Sequence, residues 1–344
     1  MKKIYDSKFD IIKLILSLFV VLVHTDTYQY IVHPWIKLTV PLFFIISSYF
    51  LFKKINTVNT KEERKEIYKI YLLRTIKLYF FWFIILLPMV LYNNRTMTFE
   101  NGSMGFIEHA IKRLLLGSTY QASWYMSASI FGVIIIAFLS SKLSNKKLFT
   151  LCLIPFTLVV IWTCYLPFFK EDGIVNTFYD IYYRVLSNPH HSFPASLIWL
   201  TVGKCFADKT FTLNKLFNFI LLLVSGILLY LEWHLVGKYT SFYESEGYFL
   251  MLPFCIAIFG LILNIKPFTF KGSIYLKRLS TYIYVIHGTL IPSINYLVYK
   301  IINLNHNVYV FLIDIILCTI IYIIAQLIIN TFNNKLTKIM KYSY

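Results

Sequence analysis

The sequence predicts an all-α, polytopic integral membrane protein with about ten transmembrane helices and both termini in the cytoplasm. Two features of its 344 residues point this way: 58% are apolar and only 14% are charged. Soluble domains carry roughly 25% charged residues, and they cannot bury this much apolar surface, so lipid must cover part of it. Apolar segments recur along the whole chain with no hydrophilic block between them. We therefore expect residues 1–344 to form a single transmembrane domain.

A helix needs roughly 20 apolar residues to cross the hydrocarbon core. The candidate spans are 10–31, 36–52, 74–92, 124–140, 148–168, 192–207, 216–234, 247–264, 280–299 and 308–332. The first has no small-residue cleavage site, so we expect it to be retained as a span. The span at 192–207 has the weakest signal. Between the third and fourth spans, FIEHAIKRLLLG predicts an interfacial amphipathic helix.

The basic residues fix the predicted orientation. Most of the 33 Lys and Arg lie near the termini and in the loops at 53–77, 141–147, 204–215 and 266–278. The positive-inside rule assigns these segments to the cytoplasm. The net charge of +17 is then an orientation signal that also attracts anionic membrane lipid. Since no basic stripe with interleaved aromatic residues occurs, we expect no nucleic-acid partner.

Two ionisable residues of the first span, Lys13 and His24, are the first candidates for chemistry. Eleven residues amount to three helical turns plus about 20°, so both lie on one face, ~16 Å apart along the axis. Taken singly, Lys13 is typical of a membrane anchor and His24 of a packed polar residue. Their shared face favours a function. The five cysteines are isolated in apolar stretches, and no Cys/His spacing suits a metal, so we expect none.

Several motifs, in chain order, resemble those of the acyltransferase family 3 membrane proteins. Lys13–x10–His24 resembles the basic–x10–His signature of that family, and RTIK (74–77) resembles its basic-x-x-basic motif. Lys13 and Lys77 stand where the family usually has arginine. Similar segments are VPLFFIISSYFLF (40–52), SWYMSASI (123–130) and STYIYVIHGTLIP (280–292). The pattern also resembles the membrane half of the membrane-bound serine racemases, which belong to the same superfamily.

The resemblance implies a membrane O-acyltransferase of the bacterial plasma membrane. Such an enzyme moves an acyl group, commonly acetyl, from cytoplasmic acyl-CoA to a hydroxyl of a cell-envelope glycan. The acceptor stays open among capsule, exopolysaccharide, teichoic acid and peptidoglycan, as does the oligomeric state. An imidazole can take up a proton near neutral pH, and basic side chains suit the phosphates of the donor. The implied roles are a general base for His24, donor binding for Lys13, Arg74 and Lys77, and substrate binding for Trp124, Tyr125 and His287.

Purely structural roles are the alternatives to these assignments. Trp124 and Tyr125 equally fit an interfacial anchor, and His287 fits a packed polar residue. We expect His190 and His191 in a solvated loop, with the mouth of an acceptor site as the alternative. Other expectations place Asp314 buried in the last span, and Glu232 and His234 in solvent.

Two other function classes compete with the enzyme. A transporter or flippase of a small amino acid or lipid-linked sugar usually has inverted repeats and broken helices at the membrane midplane. No such repeat is evident, and the polar residues gather at the two faces. A purely structural protein leaves the shared face of Lys13 and His24 without a role.

Overall fold

In the computed structural model, every regular element among the described residues is a helix. The model describes residues 6–25, 34–94, 102–116, 119–120, 122–169, 173–211, 214–239, 247–301, 307–332 and 335–344. In chain order the helices are α1 (Lys8–His24), α2 (Thr39–Ile55), α3 (Lys61–Asn94), α4 (Gly102–Leu115), α5 (Ser123–Ser140), α6 (Asn145–Val160), α7 (Gly173–Leu186), α8 (Phe193–Ala207), α9 (Lys215–Gly237), α10 (Met251–Asn264), α11 (Ser273–Asn295), α12 (Asn307–Thr331) and α13 (Lys335–Met340).

Each predicted span coincides with a helix, and the all-helical fold class is confirmed. Within the described residues, six helical stretches are long and apolar enough to cross a membrane: Pro34–Ile55, Lys61–Tyr92, Ser123–Ser140, Asn145–Phe169, Lys215–Gly237 and Asn307–Thr331. The helices α8 and α10 are apolar but shorter. The count of ten spans and the cytoplasmic termini stay predictions. The part of the first predicted span after residue 25 lies outside the described residues.

Two regions differ from the sequence prediction. Helix α3 begins at Lys61 rather than near residue 74, so its charged first half extends the apolar span. Its 34 residues measure ~50 Å, which exceeds the hydrocarbon thickness. The predicted amphipathic segment does form α4, but a second amphipathic helix, α7, was missed. Its apolar stripe is exposed and includes Ile174, Phe178 and Ile181.

Helix α8, the span with the weakest sequence signal, lies at the centre of the fold. It packs against α2, α5 and α6, and nearly all of its side chains are buried. Because protein rather than lipid surrounds it, its segment does not need a long, purely apolar sequence. Small and hydroxylated residues bring the helices close together, as is common in membranes. Ser196 Oγ donates a hydrogen bond to Ala128 O at 3.1 Å, and Ser48 Oγ donates to Leu200 O.

A second group of helices consists of α1, α11 and α12, with α1 and α12 both packed against α11. This group contributes to a buried cluster that includes Val21, Ile286 and Cys318. A separate cluster surrounds α8. The side chains of Phe43 and Tyr125 pack against both clusters. Tyr125, one of the candidate site residues, therefore lies at the junction of the two clusters.

A polar network ties α2, α6 and the end of α8 together. Lys204 Nζ forms an ion pair with Asp208 and donates to Asn145 Oδ1 at 2.7 Å. Asp208 also accepts from Asn56 Nδ2 at 2.7 Å and from Asn145 Nδ2 at 2.9 Å. Partial burial raises the pKa of Asp208, but the donors from Lys204, Asn56 and Asn145 outweigh burial, so the pKa lies below its usual value. The carboxylate is therefore stabilised in its charged form.

We predict that Gly203→Ala destabilises the protein. A Cβ at position 203 would meet Ser48 Cβ and Tyr49 N at 2.9 Å, and it would also clash with Ile45 O. Backbone atoms of α2 cannot move aside cheaply, so overpacking should cost about 1–3 kcal/mol and outweigh the helix propensity of alanine. The control is Gly173→Ala, where a Cβ meets nothing within 4 Å. Thermal unfolding in detergent should show a lower midpoint for the first variant alone; equal midpoints would refute the close approach.

We also predict that Asp208→Asn destabilises the protein at neutral pH. Since the pKa of Asp208 is lowered in the folded state, its stabilisation is complete above the unfolded pKa of about 3.9 and is lost as pH falls through the folded value. The difference in unfolding midpoint between wild type and variant should thus shrink below about pH 4. Glu66→Gln is the control, because Glu66 and Lys69 form an exposed pair that contributes little. A pH-independent difference would contradict this assignment.

Candidate functional site

The packing of α1 against α11 brings His24 next to His287. His24 is the last residue of α1, and its side chain is exposed. His287 lies in the second half of α11 and is 1% exposed. The two ring centroids are 5.1 Å apart, with an angle of 31° between the planes. Two of the residues singled out in the sequence therefore meet in the fold.

The hydrogen bonding of His287 determines which nitrogen carries the proton. Its Nδ1 is 3.0 Å from the carbonyl oxygen of Ile283. A carbonyl oxygen only accepts, so Nδ1 must donate, and the Nε2 of the neutral ring then carries no hydrogen. This Nε2 is buried and has no hydrogen-bond partner among the described residues. His287 therefore presents an unprotonated nitrogen that can accept a hydrogen bond.

At the other end of α1, Lys13 belongs to a basic cluster. Its ammonium lies 5.8 Å from the Phe50 ring, and it interacts electrostatically with Lys277, Asp10 and Arg74. The predicted donor-binding residues Lys13 and Arg74 are thus brought together. Lys77 points elsewhere, with its ammonium 4.7 Å from the ring of Tyr342.

Sequence reasoning missed Lys277, which interacts with Arg74, Asp10 and Arg278. Its position in the sequence could have indicated a role in the site, because Lys277 lies just before the STYIYVIHGTLIP motif, at the predicted cytoplasmic end of that span. The basic cluster and the histidine pair lie at opposite ends of α1, since the eleven-residue spacing falls within one continuous helix.

Tyrosine side chains neighbour both ends of the site. Tyr71 OH and Ser47 Oγ are 2.8 Å apart, and Arg74 follows Tyr71 on α3. The ring of Tyr125 is 5.5 Å from that of Tyr284, which lies 6.3 Å from the ring of His287. Tyr125 is thus part of the wall next to the histidine pair. It is half-buried, and its hydroxyl donates to Phe43 O at 3.4 Å.

Trp124 lies in a different environment from that of Tyr125. It is 8% exposed, so it is enclosed by protein rather than anchored in the lipid interface. Its ring lies 5.4 Å from His190 and 5.0 Å from His191, both of which are half-buried rather than solvated. Trp124 and His190 line a small cavity of about 30 Å³, together with Lys37, Phe44, Trp199 and Tyr248. This cavity is much smaller than a typical ligand pocket, so the feature to note here is the aromatic surface beside the two histidines.

Two further acidic side chains, those of Asp314 and Glu232, are buried. Asp314 is buried as predicted: its Oδ2 lies 3.8 Å from Cys318 Sγ, and its Oδ1 has no hydrogen-bond partner among the described residues. The prediction for Glu232 is wrong, because this side chain is 9% exposed. It accepts from Tyr165 OH at 2.8 Å and from the backbone N–H groups of Phe249 and Leu250 at 2.7 and 2.9 Å. Glu232 thereby satisfies free N–H groups at the start of α10.

The described residues contain no group of three or more His, Cys, Asp or Glu side chains that could hold a metal ion. The five cysteines are buried and unpaired.

The chain has relatives among known proteins. The chain is similar to a serine/alanine racemase of Enterococcus gallinarum, with 25% identity over 82% of the chain and 39% of the relative. It is also similar to an amino-acid racemase of Enterococcus faecalis, with 24% identity over 93% of the chain and 45% of the relative. The chain therefore spans less than half the length of either relative. No solved structure matches it significantly.

The acyltransferase domain family matches residues 6–338, and the matched range contains both histidines and the basic cluster. The chain belongs to acyltransferase family 3.

Proposed function

We propose that the protein is an O-acyltransferase that carries an acyl group, most simply acetyl, from cytoplasmic acyl-CoA to a hydroxyl of a cell-envelope glycan. The observation that carries the proposal is the His24–His287 pair, 5.1 Å apart, within a chain of the acyltransferase family. The basic cluster at Lys13 and Arg74 supports it, because acyl-CoA is rich in phosphate.

The reaction moves one proton from the acceptor hydroxyl to the sulfur of CoA by way of a base. The acceptor oxygen attacks the thioester carbonyl, and a base takes the proton of the hydroxyl as the new C–O bond forms. The C–S bond then breaks, and the thiolate of CoA leaves and takes up a proton, so the products are an O-acyl ester and free CoA. A positioned base typically contributes 10²- to 10⁴-fold to such a step.

We assign the base to His24, because its side chain is exposed at the end of α1 and is accessible to an acceptor. His287 lies behind it with Nε2 unprotonated, so it is suited to accept a hydrogen bond from the bound hydroxyl or from a charged His24 ring. His287 is then a positioning residue if it acts through His24, and a substrate-binding residue if it contacts the hydroxyl.

Lys13 and Arg74, with Lys277, provide positive charge for the nucleotide end of the donor. The length of α1 between Lys13 and His24 is ~16 Å, a distance that an extended pantetheine arm can bridge. Tyr71 and Tyr125 lie between the two ends of the site and would contact that arm. Trp124, whose ring packs beside His190 and His191, is the proposed contact for the acceptor sugar.

The test measures thiol release from acetyl-CoA by the purified protein, with and without a glycan hydroxyl acceptor. His24→Gln should lower the rate by about 10²-fold or more, because the base is lost. His287→Gln should lower it less, since glutamine can replace one hydrogen bond. The control is His234→Gln, because His234 is exposed near the end of α9.

Thermal unfolding would verify that each variant is folded. Full activity of folded His24→Gln would contradict the mechanism. Accumulation of a small amino acid or lipid-linked sugar in proteoliposomes without acyl-CoA would instead identify a transporter or flippase.

A further inference from the structure

Three buried hydrogen-bond donors without partners lie together at the basic end of α11 and α12. They are Arg278 Nε, Tyr322 OH and Gln326 Nε2, none of which has a hydrogen-bond partner among the described residues. Tyr322 and Gln326 are 6% and 7% exposed. Neither the sequence motifs nor the proposed function assigns these side chains a role.

The three side chains form one site. Arg278 Nη1 donates to Gln326 Oε1 at 3.0 Å, which leaves the amide nitrogen of Gln326 as a free donor. Tyr322 precedes Gln326 by one turn on the same face of α12, and it interacts electrostatically with Arg278. The Tyr322 ring is held by an edge contact with Tyr282, with 5.3 Å between the ring centroids.

Buried donors are nearly always paired, because leaving them unpaired costs free energy. The Arg278 guanidinium has an unpaired Nε of its own, and the two unpaired donors beside it favour a bound ligand as their acceptor. The charge of Arg278 favours an anion, and a phosphate has several oxygens that can accept hydrogen bonds from neighbouring donors.

The surroundings favour the same ligand. Arg278 interacts electrostatically with Lys277, which connects it to Arg74 and the basic cluster. The Tyr344 ring covers Arg278, with 4.2 Å from the guanidinium carbon to the ring centroid. The C-terminal turn that carries it is held by Trp82 Nε1, which donates to Ser343 O at 3.1 Å. Such a cover excludes water and strengthens a charge-assisted hydrogen bond.

We infer that Arg278, Tyr322 and Gln326 form a subsite for a phosphate group of the acyl-CoA donor, next to the basic cluster. This inference rests on the proposed function for the identity of the ligand. The same chemistry would bind the headgroup phosphate of an anionic lipid, so the experiment must separate these two sources.

Binding of coenzyme A and of inorganic pyrophosphate is measured by calorimetry on the full chain in a neutral detergent. Tyr322→Phe deletes only the unpaired hydroxyl, and it should weaken both ligands about tenfold. Gln326→Glu keeps the bond to Arg278 but places a negative charge in the subsite, so it should weaken both ligands by more than that. Tyr296→Phe is the control, because Tyr296 is 65% exposed and lies outside the subsite.

A stability measurement separates binding from a structural role. Without ligand, Tyr322→Phe should unfold at the same temperature as the wild type or higher, because the hydroxyl that it removes has no partner. A structural hydroxyl would instead lower that temperature when deleted, and such a result would overturn the subsite.

Other results also overturn the inference in distinguishable ways. If coenzyme A binds the wild type and both variants equally, the subsite is wrong while the proposed function stands. If pyrophosphate binds in a Tyr322-dependent way but coenzyme A does not bind, both the donor assignment and the proposed function fail. If native mass spectrometry finds phosphatidylglycerol retained by the wild type, lost in Tyr322→Phe and not displaced by coenzyme A, the phosphate belongs to a lipid.

Discussion

The contact between α1 and α11 is the interaction on which both ends of the candidate site depend. It places His24 next to His287 at one end, and it brings Lys13 close to Lys277 at the other. Because each helix is continuous between these residues, a single helix–helix interface sets the geometry of the histidine pair and of the basic cluster together. The rest of the fold keeps this interface in register.

The support comes from two packed groups of helices. Helix α8 is enclosed by α2, α5 and α6, where Gly203 and hydroxyl groups allow close approach. The α1–α11–α12 group lies beside it, and Phe43 and Tyr125 pack against the buried clusters of both. The aromatic wall beside the histidines therefore coincides with the junction of the two groups. A site built at such a junction is held by rigid helices, which suits a reaction that needs a precisely aligned proton acceptor.

Hydropathy predicted the helices because burial in lipid demands long apolar segments, and helical periodicity predicted the shared face of Lys13 and His24. Periodicity could not predict that His287 would meet His24, since that contact depends on how distant segments pack; only the resemblance of the STYIYVIHGTLIP motif drew attention to it. The amphipathic α7 was missed because its polar residues interrupt the apolar signal. Glu232 was misjudged for a similar reason: its position near a span end suggested solvent, whereas the chain folds back and the N–H groups that begin α10 bind it. Arg278 and Gln326 stand out as a candidate site only in the structure, where Arg278 Nε and Gln326 Nε2 are buried and have no hydrogen-bond partner among the described residues.

We propose that His24 catalyses acyl transfer onto an envelope glycan. A direct test is mass spectrometry of envelope glycans from cells that produce either the wild-type chain or His24→Gln at equal membrane abundance. If His24 is the base, one glycan should carry O-acyl esters in wild-type cells and lose them in cells with the variant. Equal ester content in the two would contradict this role of His24.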